Sequence, residues 1–181
     1  MTYRIIQGKN VILDMIDQAI LIDTLVYPKE YCGNKEVCYS WWEKEPRIYI
    51  LVIDNISGRV VGYINLMPVS EESRNKIKLG KIKDPTIFPS DIISGSGYLY
   101  LSSIAIHPSY QDSEVFKLLI SSLGSVLGKM DDTSLVLANA ISEAGVGLCR
   151  SFGFQESSEC PGMYEGNVGL MKEYITVIKT S

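Results

Sequence analysis

Residues 98–120 contain a strand, a turn and a helix in immediate succession, and this junction constrains the fold more than any other stretch. The run from Tyr98 to Ile106 is apolar and rich in aromatic and β-branched residues, which predicts a buried strand. Pro108 ends the strand, because proline cannot donate to a sheet ladder. From Glu114 onward apolar residues recur at helical spacing. The free backbone N–H groups of that helix start point at one place, which suits a phosphate.

The rest of the chain alternates between strand and helix patterns. Periodicity and turn residues predict strands at 3–7, 47–53, 59–67 and 134–140, and a last hairpin with arms at 154–159 and 169–179. The same reading predicts helices at 11–25, 29–45, 114–130 and 142–152. Segment 70–97 is charged early and rich in turn residues late, so we expect one turn or short strand around 77–82.

The order of these elements predicts an α/β fold in a single domain. A strand, a helix and a strand between 98 and 140 indicate a parallel pair with a right-handed crossover. The sheet is therefore expected to be mixed, twisted and mostly antiparallel, with one parallel pair and about four helices. Ligands bind where neighbouring strands of such sheets diverge. We expect a cleft between strands 98–107 and 134–140, above the start of helix 114–130.

Composition narrows the classes of function. The chain has 181 residues, enough for one domain with a sizeable core. A net charge of -4 argues against a nucleic-acid partner. No apolar run approaches the roughly 20 residues of a membrane helix, so no membrane partner is expected. The first residues lack the core of a signal peptide, and we expect a cytoplasmic protein.

The four cysteines are Cys32, Cys38, Cys149 and Cys160. Their spacing matches no zinc pattern and no histidine lies near them in sequence, so we predict no metal. Free thiols are the expected state, and a Cys32–Cys38 disulfide stays open as the alternative.

The central junction resembles the main motif of the GNAT acetyltransferase superfamily. That family has a strand ending in apolar-Ala-Val-x-Pro, and this chain has Ile104-Ala105-Ile106-His107-Pro108. The family continues with Q/R-x-x-G-x-G/A, the loop that holds the pyrophosphate of coenzyme A. Gln111 is present, whereas Glu114 and Phe116 stand where the family has glycines. The turn therefore has extra bulk and negative charge, and Asp112 or Ser113 could instead cap the helix.

The resemblance implies a GNAT-like domain over 1–181 that uses acetyl-CoA as a co-substrate. In the family the backbone of the central strand pairs with the pantetheine arm, and the following turn holds the diphosphate. Ser142 stands where the family often has an asparagine that contacts the cofactor. The residues expected to bind the cofactor are Ile104, Ala105, Ile106, Gln111, Asp112, Ser113, Glu114, Val115, Phe116, Asn139 and Ser142.

The catalytic residues are less clearly marked. Family members often carry a tyrosine four residues before the Gly-Phe that ends the fourth helix, and here that position is Cys149. A thiol can donate a proton, so Cys149 is the candidate general acid, although the sequence favours the alternative of a small buried structural cysteine. Several carboxylates could serve as the base, and we take Glu72 as the candidate. His107 follows a strand end and precedes proline, which favours a structural role.

The resulting expectation is an acetyltransferase in which an amine attacks acetyl-CoA directly in a ternary complex. The acceptor would be a small-molecule or lysine-type amine, and the resemblance also allows a homodimer. The alternative is a GNAT-fold module without catalysis that binds a ligand or a protein, because the glycines of the loop and the tyrosine are replaced.

Overall fold

One mixed sheet forms the centre of the computed structural model, which describes residues 2–111 and 114–180. Its strands run in the order β1-β2-β3-β4-β5-β7-β6. They are β1 (Tyr3–Gln7), β2 (Tyr49–Asp54), β3 (Val60–Pro68), β4 (Tyr98–Ile106), β5 (Leu135–Asn139), β6 (Gln155–Glu156) and β7 (Met163–Asn167). All neighbours are antiparallel except β4 and β5, which are parallel. The predicted mixed sheet with one parallel pair is thus confirmed.

Six α-helices accompany the sheet within the described residues, where the sequence predicted about four. They are α1 (Leu13–Val26), α2 (Lys35–Lys44), α3 (Glu71–Lys78), α4 (Val115–Leu127), α5 (Glu143–Ser151) and α6 (Val168–Thr180). Short 3-10 turns join several of them.

Two apolar layers cover the two faces of the sheet. Helices α1 and α2 pack on one face through side chains that include Ile16, Ala19, Ile22 and Trp41. Helices α4 and α6 pack on the other face through side chains that include Leu119, Leu123, Met171 and Ile175. Every residue of β2 is buried, since this strand lies between both layers. Such an arrangement explains why the central strands read as nearly continuous apolar runs.

The C-terminal segment differs from its prediction. The sequence predicted a strand over 169–179, but this segment belongs to α6. Val168, Met171 and Ile175 are its buried residues, and their spacing of three and four is that of a helix packed on α4. Asn167 caps the helix, because its Oδ1 accepts a hydrogen bond from the Leu170 N–H at 3.0 Å. The last hairpin is formed instead by β6 and β7.

The charged segment after β3 also differs from its prediction. We expected a turn or short strand around 77–82, and the structure has a helix over Glu71–Lys78. Ser70 caps this helix by accepting the Ser73 N–H at 3.0 Å. Ile77 is the buried apolar residue of the helix, so the apolar periodicity that reveals most helices is too weak here.

The strand–turn–helix junction forms as the sequence predicted. β4 ends at Ile106, a 3-10 turn spans Pro108–Tyr110, and α4 begins at Val115. Val115 is fully buried against β3, where a Cβ added to Gly62 would come within 2.8 Å of Val115 Cγ1. This close packing fixes where α4 begins relative to the sheet.

Candidate functional site

The two parallel strands separate halfway along β4. β4 pairs with β5 from Tyr98 to Leu101, and beyond the Leu101–Ala138 pair the ladder ends. At the same level β4 has a bulge on its other side: Asn65 faces Ser103 and Leu66 faces Leu101, so Ser102 is the extra residue. The bulge bends the strand away from β5 and opens a gap at the carboxyl end of both strands.

Beyond Leu101, the edge of β4 that faces this gap has backbone groups that pair with no neighbouring strand among the described residues. The His107 N–H donates to the Val61 carbonyl of β3 at 2.9 Å, and the alternation of an antiparallel ladder then turns Ile106 and Ile104 toward the gap. The hydroxyl of Tyr27 agrees with this orientation, because it donates to the Ile104 carbonyl at 2.9 Å. An extended ligand with amide groups could therefore pair with β4 as an added strand.

A cleft with a cavity volume of about 660 Å³ fills the gap. Its walls come from β4, the end of β5, the start of α4, and α5. Eight of the residues predicted to bind the cofactor or to act in catalysis line it, namely Ile104, Ala105, Ile106, Gln111, Phe116, Asn139, Ser142 and Cys149. The volume falls in the range of small-molecule sites.

Three of the predicted residues lie elsewhere. Val115 is in the core under α4, and Glu114 is exposed as the N-cap residue of that helix without a side-chain cap hydrogen bond. Glu72 is exposed on α3 and forms an ion pair with Lys76 at 2.6 Å. None of the three is among the residues that line the cleft. Asp112 and Ser113 lie outside the described residues.

The surroundings of two cleft residues, Ser142 and Cys149, restrict what their side chains can do. Ser142 is the N-cap of α5, and its Oγ accepts the Gly145 N–H at 3.1 Å. Cys149 is 5% exposed, and burial raises the pKa of its thiol to about 11. The thiol therefore stays protonated near neutral pH, which fits a hydrogen-bond donor and not a nucleophile. The proton-donor role of Cys149 stays a prediction.

His107 is held by the turn that follows β4. Its Nδ1 accepts a hydrogen bond from the Ser109 N–H at 3.2 Å, and its ring lies edge-on to Tyr110. Both contacts belong to the 3-10 turn before α4, which agrees with the structural role that the sequence favoured.

Two carboxyl groups that the sequence analysis missed lie beside the bulge. Asp84, in a loop after α3, accepts hydrogen bonds from Tyr100 and, at 2.6 Å, from Ser102 Oγ. Asp23, near the end of α1, accepts one from Tyr63 and is 7% exposed. Ser102 and Asp84 line the cleft, so this carboxyl pair adjoins the place where the strands part.

The environment of both carboxyls favours their protonated form. Burial raises the pKa of Asp23 to about 7, the Tyr63 hydrogen bond opposes that rise, and the nearby charge of Asp84 adds to it. Burial also raises the pKa of Asp84, against the hydrogen bonds from Ser102 and Tyr100. Burial raises the pKa of the Tyr27 hydroxyl as well, and the charge of Asp23 contributes. A carboxyl that titrates near neutral pH beside a cleft is a candidate for proton transfer.

One feature of the sequence could have indicated that Asp23 is buried at a functional site. Ile16 and Ala19 belong to the buried stripe of α1, and Asp23 stands four positions after Ala19 on the same stripe. A carboxylate on the apolar face of a helix is unusual, since burying a charge costs free energy unless a partner is present. Asp84 lies in a loop without apolar periodicity, so no comparable pattern predicts that it is buried.

The described residues hold no group of three or more His, Cys, Asp or Glu side chains that could bind a metal ion. All four cysteines are free. In the part of the chain that the structure describes, every helix is too short or too polar to cross a membrane.

Comparison with known proteins gives structural similarity without recognisable sequence similarity. No protein-family model matches the sequence, and no curated protein matches it. The loading GNATL domain of CurA from Lyngbya majuscula is 12% identical with a TM-score of 0.59, covering 96% of this chain and 83% of that one. YncA, a putative acetyltransferase from Salmonella typhimurium solved with acetyl-CoA, is 13% identical with a TM-score of 0.56, covering 93% and 95%.

A third similar structure is the GphF GNAT-like decarboxylase in complex with isobutyryl-CoA. It is 11% identical with a TM-score of 0.60, and the alignment covers 81% of this chain and 71% of that chain. The parallel pair, the gap beside β4 and these similarities agree with one another. The chain therefore has the fold of the GNAT acetyltransferases.

Proposed function

We propose that this protein is an acyltransferase that moves an acetyl group from acetyl-CoA to a primary amine. The observation that carries the proposal is the open edge of β4 beside a cleft of about 660 Å³. The pantetheine arm has two amide groups, and it would pair with the backbone of Ile104 and Ile106 as an extra strand. The similar YncA structure contains acetyl-CoA, which supports this choice of cofactor.

The diphosphate would lie beyond the end of β4, near Gln111 and the start of α4. Free backbone N–H groups and the positive end of the helix dipole favour an anion there. We retain Asp112, Ser113, Glu114, Val115 and Phe116 as contacts through their backbone, and Asn139 and Ser142 as contacts from the opposite wall.

The thioester would lie at the bulge of β4, where backbone N–H groups can polarise its carbonyl. The amine attacks the thioester carbon directly, and the thiolate of coenzyme A leaves. Cys149 lines the cleft as a protonated thiol and can donate a hydrogen bond to that thiolate. Glu72 is exposed and paired with Lys76, so as a base it would act through water.

A module without catalysis is the second candidate, and the start of α4 favours it. Glu114 is exposed there, and no Lys or Arg occurs between His107 and Phe116. Negative charge beside the diphosphate site would weaken binding of coenzyme A. Such a protein would keep the cleft and bind another ligand.

Calorimetric titration with acetyl-CoA tests the proposal. The Ile106→Pro variant removes a backbone N–H that points to the gap, whereas Ile106→Val keeps this N–H and serves as the matched control. A micromolar dissociation constant for acetyl-CoA is expected for the parent and for Ile106→Val. Binding to Ile106→Pro is expected to be about tenfold weaker, because one hydrogen bond is lost.

Release of the coenzyme A thiol in the presence of a panel of primary amines then tests the transfer. Absence of heat at millimolar acetyl-CoA would refute the enzyme and favour the module. Binding of acetyl-CoA without thiol release on any amine would leave a cofactor-binding module, and it would also contradict the proposed reaction.

A further inference from the structure

A small polar chamber lies under β4, on the face covered by α1 and α2. Its cavity volume is about 20 Å³, and four residues line both this chamber and the cleft, namely Tyr31, Asp84, Ser102 and Ser103. The chamber therefore adjoins the cleft at the bulge, where the thioester would lie.

Hydrogen-bond acceptors converge on this chamber. Asp23, Asp84 and Asn65 line it. Asn65 is 3% exposed, and its side chain contacts the Tyr49 hydroxyl, whereas its Oδ1 has no hydrogen-bond partner among the described residues. A buried acceptor without a donor is costly, so this oxygen calls for a donor that a ligand would bring. Oδ1 of Asn65 is thus an independent sign of a ligand beside the two carboxyls.

The chamber lacks a positive counterpart of its own. Among the described residues that line it there is no Lys, Arg or His. Two neighbouring buried carboxyls do not readily ionise together without a cation, and the charge of Asp84 indeed raises the pKa of Asp23. A ligand that offers one positive charge and several N–H donors would satisfy both carboxyls and the amide oxygen of Asn65.

Size selects the kind of cation. A cavity of about 20 Å³ holds one group of the size of a water molecule. The –NH₃⁺ head of a primary amine has that size, and it carries three donors. A guanidinium or a trimethylammonium group is several times larger. The remainder of the ligand would lie in the cleft beside Tyr31.

We propose that this chamber receives the protonated amino group of the acceptor, an unbranched primary alkylammonium held by Asp23, Asp84 and Asn65. This inference rests on the acyl transfer proposed above and specifies its acceptor. It also makes Asp23 and Asp84, in place of Glu72, the groups that receive the proton. An acyl-CoA donor whose acyl group carries a carboxylate is disfavoured, because the negative charges of Asp23 and Asp84 would repel that carboxylate.

The proton balance is complete without another reactant. The ammonium transfers one proton to the ionised carboxylate of the pair and becomes a neutral amine. The amine nitrogen attacks the thioester carbon, the C–N bond forms, and the C–S bond breaks. The second proton passes from nitrogen to the departing thiolate, and the carboxyl later releases its proton to water. The products are the N-acetyl amine, coenzyme A and one proton.

Thermal unfolding with simple amines tests binding independently of catalysis. Butylammonium chloride is expected to raise the melting temperature by about 5 °C in a saturable way once it reaches tens of times its dissociation constant. Tetramethylammonium and butylguanidinium are too large for the chamber, and sodium butyrate has the wrong charge. At equal ionic strength these three are expected to leave the melting temperature unchanged.

Variants assign the effect to the chamber. Asp23→Asn, Asp84→Asn and Asn65→Leu each remove one group that would hold the ammonium, and each is expected to weaken the butylammonium effect at least tenfold. Asp17→Asn is the matched control, because Asp17 lies on the same helix but pairs with Lys35 outside the chamber. Its response is expected to equal that of the parent.

The outcomes separate this inference from the proposed function. If acetyl-CoA binds but butylammonium gives no saturable shift, or gives the same shift in all four variants, the ammonium chamber is refuted and the acyltransferase proposal stands. If butylammonium binds through the three residues and acetyl-CoA does not bind, the chamber is supported as an amine site and the transfer is refuted.

Discussion

Asp23→Asn is expected to make the stability of the protein less dependent on pH. The pKa of Asp23 rises from 3.8 to about 7 because burial disfavours its charged form and the nearby charge of Asp84 adds to the rise, while the Tyr63 hydrogen bond opposes it. Tyr27 and Cys38 also face this carboxyl. The native protein therefore holds this proton to a higher pH than the unfolded chain does. As the pH rises from about 4 to about 7, unfolding becomes easier because the unfolded chain releases the proton first.

The size of the effect follows from the difference between the two pKa values. A difference of about 3 corresponds to roughly 4 kcal/mol of unfolding free energy, lost between about pH 4 and pH 7 and constant above that range. Asparagine has the same shape, can still accept the hydrogen bond from Tyr63, and carries no titrating proton. The quantity to compare is the unfolding free energy of the variant minus that of the parent. This difference is expected to be higher at pH 8 than at pH 4 by up to roughly 4 kcal/mol.

Urea unfolding followed by tryptophan fluorescence measures this difference at several pH values between 4 and 8.5, since Trp41 is buried in the core. Asp17→Asn is the control of opposite sign. The Lys35 hydrogen bond, with that of Tyr39, lowers the pKa of Asp17, so its carboxylate stabilises the protein above about pH 4. Parallel stability curves for the parent and Asp23→Asn over the whole range would refute the buried, proton-retaining carboxyl.

Two further predictions concern packing and thiol chemistry. Gly62→Ala is expected to cost about 1–3 kcal/mol in urea unfolding, because the new Cβ would lie 2.8 Å from Val115 Cγ1 and 3.3 Å from the Ala105 carbonyl; a variant as stable as the parent would contradict this packing. With a thiol reagent at pH 8, the partly exposed Cys160 is expected to react long before Cys149, whose pKa is about 11. Mass spectrometry after short exposure identifies the labelled peptide, and equal rates in the folded protein would argue against a buried Cys149.

The central part of the fold could be predicted because its patterns are local. Strand β4, the proline that follows it and the apolar stripe of α4 can each be recognised within a short window. The separation between the two strands was long enough for a helical crossover, which made the parallel pair and the cleft predictable. Eight of the predicted site residues line that cleft for this reason.

The prediction for the C-terminus was wrong because two patterns competed. Residues 169–179 are rich in apolar and β-branched side chains, which favours a strand. Burial against α4 decides the conformation in favour of a helix, since only helical spacing brings Met171 and Ile175 to the same face. The same limit applies to α3. Its sequence signals are the capping residue Ser70 and the charged residues of its first and last turns, whereas its apolar periodicity is too weak to predict a helix.

The sequence by itself determined strands β1 to β5, the parallel pair and the residues along the open edge of β4. Only the tertiary structure brought Asp23 of α1 and Asp84 of a distant loop to the bulge at Ser102. It also placed in the same chamber Asn65, whose Oδ1 has no hydrogen-bond partner in the part of the chain that the structure describes. The physical reason is that periodicity depends on neighbours along the chain. The pairing of buried polar groups depends instead on strand register and on how helices pack across the sheet, which no short stretch of sequence contains.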